Sequence, residues 1–265
     1  MTDTDPPKSA ASRIELTIAD GAAWITLDGP STRNALDEAA AAELTAACDR
    51  IDADLSVGVA VITGANGAFC SGAVRGFLAD LAGQPAHVGY ERLGAVYRAF
   101  DRFGRLTVPT IARIEGAAVG AGLNLALAAD LLLAAVNARL ISGFAPVGIH
   151  PGGGHLHLIA RAAGRQTAAA MGMFARPLTG TQAKATGLVW DAVPAADLNQ
   201  VVADACAPLQ RDPELARAIK ASLTLTTSRI DDWAAATEVE RARQMWSLTR
   251  SRPTTDNSQT RKDPA

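Results

Sequence analysis

Neither sign of charge dominates this sequence. Its 265 residues carry 25 Lys and Arg against 27 Asp and Glu, so the basic excess that neutralises a phosphate backbone is missing, and no nucleic acid partner is expected. Cysteine is scarce too. Cys48, Cys70 and Cys206 are odd in number, scattered, and without the paired spacing of a zinc site. They read as reduced thiols in a cytoplasmic compartment, with no metal implied. No apolar run is long enough to cross a bilayer, because the longest, Leu123 to Val136, is interrupted by Asn124 and Asp130. The opening, Met1 to Pro7, is acidic and lacks the apolar stretch of a signal peptide. These absences lead us to expect a soluble protein with no membrane partner, and the length suggests one α/β domain rather than two.

What is present is concentrated in two glycine-studded turns, Phe69-Cys70-Ser71-Gly72-Ala73 and Glu115-Gly116-Ala117-Ala118-Val119-Gly120-Ala121-Gly122-Leu123-Asn124. Each follows a β-branched run, Val59–Thr63 in one case and Thr110–Ile114 in the other, and each leads toward a helical pattern. Small residues let backbone approach a ligand closely, and N–H groups at a turn or helix start are free to meet negative charge. Two such donors aimed at one oxygen make an oxyanion hole. Taken singly, either turn is equally well a tight connection in an α/β fold.

The rest of the chain alternates strand and helix signals. Arg13–Ile18 and Ala23–Leu27 read as a hairpin about Asp20-Gly21, and Leu44, Ala47, Cys48 and Ile51 fall on one face of a helix that Asp37 is placed to cap. Gly76 to Gly104 reads as a loop followed by a helix around Tyr90 to Phe103. Strands are expected at Leu131–Ala135, Leu140–Ser142 and Leu188–Val193, with helices after Pro151. Beyond Pro194 the pattern is helical over Ala195–Gln210, Glu214–Thr226 and Asp232–Leu248. The expected organisation is a disordered stretch 1–12, an α/β core 13–194, a helical C-terminal region 195–250 and a flexible tail 251–265.

On six stretches in order the chain resembles the enoyl-CoA hydratase/isomerase, or crotonase, family: Arg33-Asn34-Ala35-Leu36, Thr63-Gly64 with the first glycine turn, the second turn, Ala128-Ala129-Asp130, Gly148 with Pro151-Gly152-Gly153-Gly154, and Thr179-Gly180 through Val189. The resemblance implies a crotonase-like spiral of ββα units with a helical C-terminal region that forms a homotrimer or a dimer of trimers. It implies an acyl-CoA substrate, with the coenzyme A thioester as reactant and no separate cofactor. The thioester oxygen would accept the N–H groups of Ala73 and Ala121, the latter at a helix start. The CoA moiety would lie along Arg33 and Ala35 and along Ser71, Gly72, Val74, Arg75 and Gly76.

The chain departs from the hydratase pattern at the two glutamates that handle water: Asn124 and Phe144 stand at their positions. Neither side chain transfers a proton near pH 7, and a missing acid/base typically costs about 10²–10⁴-fold in rate. An amide at Asn124 can still orient a water or the thioester, and Phe144 can pack on an acyl chain. His150 and His155 flank the glycine cluster, and either is a candidate acid or base. Each also has a plainer reading: His150 satisfied by local backbone, His155 opening a helix. His87, with Asp80 and Glu91 nearby, is a third candidate. Glu115 reads as structural, and Cys70 as a buried small side chain. The expected activity is that of an enoyl-CoA hydratase-like lyase. An isomerase or hydrolase using His150 or His155, and a non-catalytic acyl-CoA-binding protein, stay open beside it.

Overall fold

The computed structural model describes residues 12–228. The expectations for 1–11, for a helix at Asp232–Leu248 and for the 251–265 tail lie outside the described residues. The hairpin forms as β1 (Arg13–Ala19) and β2 (Ala22–Asp28), antiparallel, and its turn places both Asp20 and Gly21 at positive φ, as the right-handed twist of a two-residue hairpin requires. Helix α1 (Glu38–Ala53) begins where Asp37 accepts the Ala40 N–H at 3.0 Å, and it buries Leu44, Ala47, Cys48 and Ile51. β3 (Val59–Gly64) then joins β2 in parallel.

Between β3 and β4 (Thr110–Ile114) the chain is mostly helical, which corrects the expectation of a loop. Helices α2 (Arg75–Ala82) and α3 (Ala86–Gly104) are separated only by Gly83-Gln84-Pro85. The glycine–proline signal is a turn between two helices rather than the centre of a long loop, and His87 falls in the first turn of α3. Arg92 fastens the pair, bonding Glu38 of α1 and Asp80 of α2 while lying over the Phe77 ring.

β5 (Ala117–Val119), α4 (Ala121–Leu127), β6 (Leu131–Ala135), β7 (Arg139–Ile141), a 3₁₀ turn at Ala145–Val147, and α5 (His155–Gly172) follow in order. Next come β8 (Leu178–Thr179), α6 (Gly180–Thr186), β9 (Asp191–Val193), α7 (Leu198–Gln210) and α8 (Pro213–Ser228). The larger sheet runs β1-β2-β3-β4-β6-β9 and the smaller β5-β7-β8. Successive turns of the chain send one strand into the first sheet and the next into the second, so β4 is followed by β5 and β6 by β7. This is the ββα spiral that the resemblance implies. β5 and β8 have no sequence signal of their own, being three residues and two residues long. β3 and β4 are buried nearly throughout, as parallel strands covered on both faces are.

Candidate functional site

The two glycine turns lie against each other. Cys70 and Ala118 form a parallel bridge, with Cys70 N–H donating to Ala117 O at 3.0 Å and Val119 N–H to Cys70 O at 2.9 Å. A Cβ on Gly72, whose φ is +98°, would stand 2.8 Å from Val119 O and 3.7 Å from Ala121 N. A Cβ on Gly122 would stand 2.5 Å from Cys70 O. Only glycine permits this approach, so the residue types at 72 and 122 set the spacing of the two turns.

Ala73 and Ala121 follow directly from that packing. Leu36 bridges Ala73 in parallel through Leu36 N–H to Gly72 O (2.7 Å) and Val74 N–H to Leu36 O (2.9 Å), which turns the Ala73 N–H to the opposite side. Ala121 is the first residue of α4, one of the helix positions whose N–H has no intrahelical acceptor. Neither amide donates to a backbone carbonyl among the described residues. α4 is only seven residues long, so the feature that matters is its free amide more than any macrodipole.

A cavity of about 460 Å³ opens beside Ala73. Arg33, Ala35, Ser71, Val74 and Gly76 line it with Ala73. Gly72 holds the turn behind it, and Arg75 opens α2. Arg33 and Asn34 both have positive φ, a conformation that non-glycine residues hold only when neighbours enforce it. Asn34, a residue to which the sequence assigns no role of its own, does the enforcing: it is fully buried, accepts from Gly29 N–H, and donates to Ala65 O and Ala68 O, each at 2.9 Å. Ser71 adds a bond to Thr32 O at 2.6 Å. A larger cavity, about 690 Å³, lies between Arg105–Thr107 and α8 and holds none of the expected residues.

Asn124 is fully buried, and its amide is taken up by protein. Nδ2 donates to Gly152 O at 2.8 Å, and Oδ1 lies 2.6 Å from His155 Nδ1. The amide is therefore not at hand to orient a water: both of its ends are engaged by protein, and its oxygen faces His155. His155, the first residue of α5, is 1 % exposed, and its Nε2 lies 2.6 Å from Ser142 Oγ. Because Asn124 commits its NH₂ to carbonyls, Oδ1 faces the imidazole, so Nδ1 carries the proton and Nε2 accepts from the serine hydroxyl. Ser142 is likewise buried and has no sequence signal. Phe144, half-buried, packs edge-on against His155 with ring centroids 4.9 Å apart. Tyr97 of α3 completes this wall: a Cβ on Gly153 would meet both its ring and Asn124 Nδ2 at 2.8 Å.

The other candidates stand apart. His150 is exposed, with Nδ1 2.7 Å from Pro151 O, which is the plainer of its two readings. His87 is exposed on α3, and Asp80 is engaged with Arg92. Glu115 pairs with Arg113 at 2.8 Å, and Arg113 also reaches Asn199 of α7, a structural tie. Burial pushes the Cys70 thiol up to about 12, so it is inert.

Burial pulls His155 from 6.5 down to about 4. The imidazole is therefore neutral in the folded chain at pH 5–7, whereas in the unfolded chain it protonates near 6.5. Its contribution to stability is complete above pH 6.5 and is lost as pH falls toward 4. Urea unfolding is expected to show about 3 kcal/mol less stability at pH 4 than at pH 7 from this group, with a shallower slope in His155→Gln.

Compared with known proteins, the chain matches the Enoyl-CoA hydratase/isomerase family model over residues 17–258. It is 38% identical over 218 residues to a probable enoyl-CoA hydratase of Mycobacterium tuberculosis, covering 81% of this chain and 82% of the relative. The crystal structure of an enoyl-CoA hydratase from Polaromonas sp. JS666 superposes with TM-score 0.81 at 27% identity, covering 89% of this chain and 92% of that one. A Thermobifida fusca protein assigned as an enoyl-CoA hydratase, solved in complex with CoA, superposes with TM-score 0.76 at 28% identity, covering 89% and 92%. Among the described residues no helix is long and apolar enough to cross a membrane.

Proposed function

Since the chain belongs to the enoyl-CoA hydratase/isomerase family, we propose that it works as a hydratase-like lyase on a coenzyme A thioester, with the Ala73 and Ala121 amides receiving the thioester oxygen. The observation that carries this reading is the pair of free N–H groups on two turns held in contact through Gly72 and Gly122. As electrons move from the α,β double bond toward the carbonyl, the oxygen becomes an enolate, and fixed donors already aimed at it stabilise that charge more than the neutral ground state. The CoA chain enters along the cavity beside Arg33 and Ser71, whose loop Asn34 holds in place. Arg33 stands at its lining as the cation for a phosphate. The CoA complex of the Thermobifida fusca relative supports the substrate class. Assembly as a homotrimer or a dimer of trimers belongs to the same proposal.

Isomerisation through the same enolate is the second reading, favoured by the lack of a carboxylate at Asn124 and Phe144 to activate a water. Purified protein is mixed with crotonyl-CoA and, separately, with a 3-enoyl-CoA. Hydration removes the conjugated-thioester absorbance from the first, and isomerisation creates it in the second. No change with either, together with no calorimetric binding of butyryl-CoA, overturns the thioester assignment.

A further inference from the structure

We infer that Ser142 is the catalytic proton carrier of this site, with His155 as its base and Asn124 fixing the imidazole tautomer. The inference rests on the thioester reading above. Its support is an ordered set of hydrogen bonds, all inside the protein: Gly152 O accepts from Asn124 Nδ2, Asn124 Oδ1 from His155 Nδ1–H, and His155 Nε2 from Ser142 Oγ–H. The last two bonds are both 2.6 Å, and each direction follows from the one before it. Ser142 Oγ therefore has its proton already aimed at a base, and it keeps a lone pair for an outside donor.

The position of Ser142 makes this more than a core contact. It follows Ile141, whose carbonyl accepts the Gly120 N–H at 2.9 Å, and its own carbonyl stands 3.4 Å from where a Gly120 Cβ would be. Gly120 is the residue before Ala121, so the backbone that carries the Ser142 hydroxyl abuts the turn that presents the Ala121 amide. Phe144 covers His155 and lies 3.5 Å from the same Gly120 position, which keeps bulk water from the imidazole. The buried imidazole stays neutral, and its pKa of about 4 gives it roughly the base strength of an ordinary carboxylate.

The step balances without a co-reactant beyond water. As the water oxygen bonds Cβ, its proton passes to Ser142 Oγ while the Ser142 proton passes to His155 Nε2, and the double-bond electrons move onto the thioester oxygen. The same shift in reverse delivers a proton from Ser142 to Cα and restores the carbonyl. One water is added, and nothing is oxidised or reduced. Ser142 acts as a catalytic residue, while His155 and Asn124 act through it as positioning residues.

Threonine and valine at 142 differ by one hydroxyl at nearly equal volume, so the test compares Ser142→Thr, Ser142→Val and Ser142→Ala. The readouts are crotonyl-CoA hydration and exchange of the Cα protons of butyryl-CoA in D₂O, followed by mass spectrometry, with calorimetric binding of butyryl-CoA and circular dichroism as controls. Loss of at least about 100-fold in kcat and in exchange in the valine and alanine variants, with KM and binding within about threefold and threonine retaining at least a tenth of the rate, supports the inference. If valine and threonine behave alike, or if alanine keeps its exchange rate, Ser142 is not the carrier, and binding by wild type leaves the thioester reading standing. A wild-type protein that binds butyryl-CoA but exchanges no Cα proton also overturns the relay.

Discussion

Ala121→Pro is expected to lower kcat for the thioester reaction by about 10²–10³-fold while the chain stays folded. Proline removes the one N–H that the account requires from α4 and puts ring carbon where the ligand oxygen would sit. The helix itself tolerates the change, because the N–H of a first helical residue has no intrahelical acceptor and proline has the right φ there. Gly120 has φ +54° and ψ −115°, a conformation open to a glycine before proline because it lacks the Cβ that would clash. The melting temperature is expected within a few degrees of wild type, read by circular dichroism, with turnover read on crotonyl-CoA. An Ala121→Pro enzyme with unchanged kcat rules out the amide pair as the source of activation.

Gly72→Ala is expected to damage both stability and binding. A φ of +98° is strained for any residue with a Cβ, and the added carbon would stand 2.8 Å from Val119 O, so the first turn must lift off the second. Positive-φ strain and overpacking of this kind each cost about 1–3 kcal/mol. The lower combined figure, about 2 kcal/mol, is a drop of several degrees in Tm for a chain of this size. Because the same displacement moves Ala73 away from Ala121, butyryl-CoA affinity falls as well. By contrast, Gly67→Ala, where a Cβ meets nothing within 4 Å, bears only the strain of its φ of +70° and leaves kcat unchanged.

The legible parts of this fold were those written in local pattern. Alternation in Arg13–Ile18, the apolar face of Leu44 to Ile51, and the β-branched runs before each glycine turn all correspond to observed elements within a residue or two. The glycine turns were legible because their spacing follows from a local need, backbone close to backbone. Gly76 to Gly104 misled because Gly83-Gln84-Pro85 marks a turn without saying what flanks it. β5 and β8 are too short for periodicity to register, and they exist only because the spiral brings them beside β7.

The relay was illegible for a different reason. Asn124 and His155 are 31 residues apart, and Ser142 and His155 are 13 apart. No spacing rule links them until α4 packs on α5. From sequence, Asn124 is simply an amide where a carboxylate is expected, and His155 one of two histidines beside a glycine cluster. Burial separates those histidines, with His155 inside and His150 in solvent. Asn34 and Tyr97 are no more legible: Asn34 stands in a family-like stretch whose pattern does not announce its bonds to residues 65 and 68, and Tyr97 meets Gly152 and Gly153 only in the folded chain.

The most direct test of the account is a crystal structure of the protein with butyryl-CoA bound. The account predicts the thioester oxygen about 3 Å from both the Ala73 and the Ala121 backbone nitrogens, with the N–H groups pointing at it. A carbonyl bound elsewhere, or either amide donating instead to a protein acceptor in the complex, contradicts it.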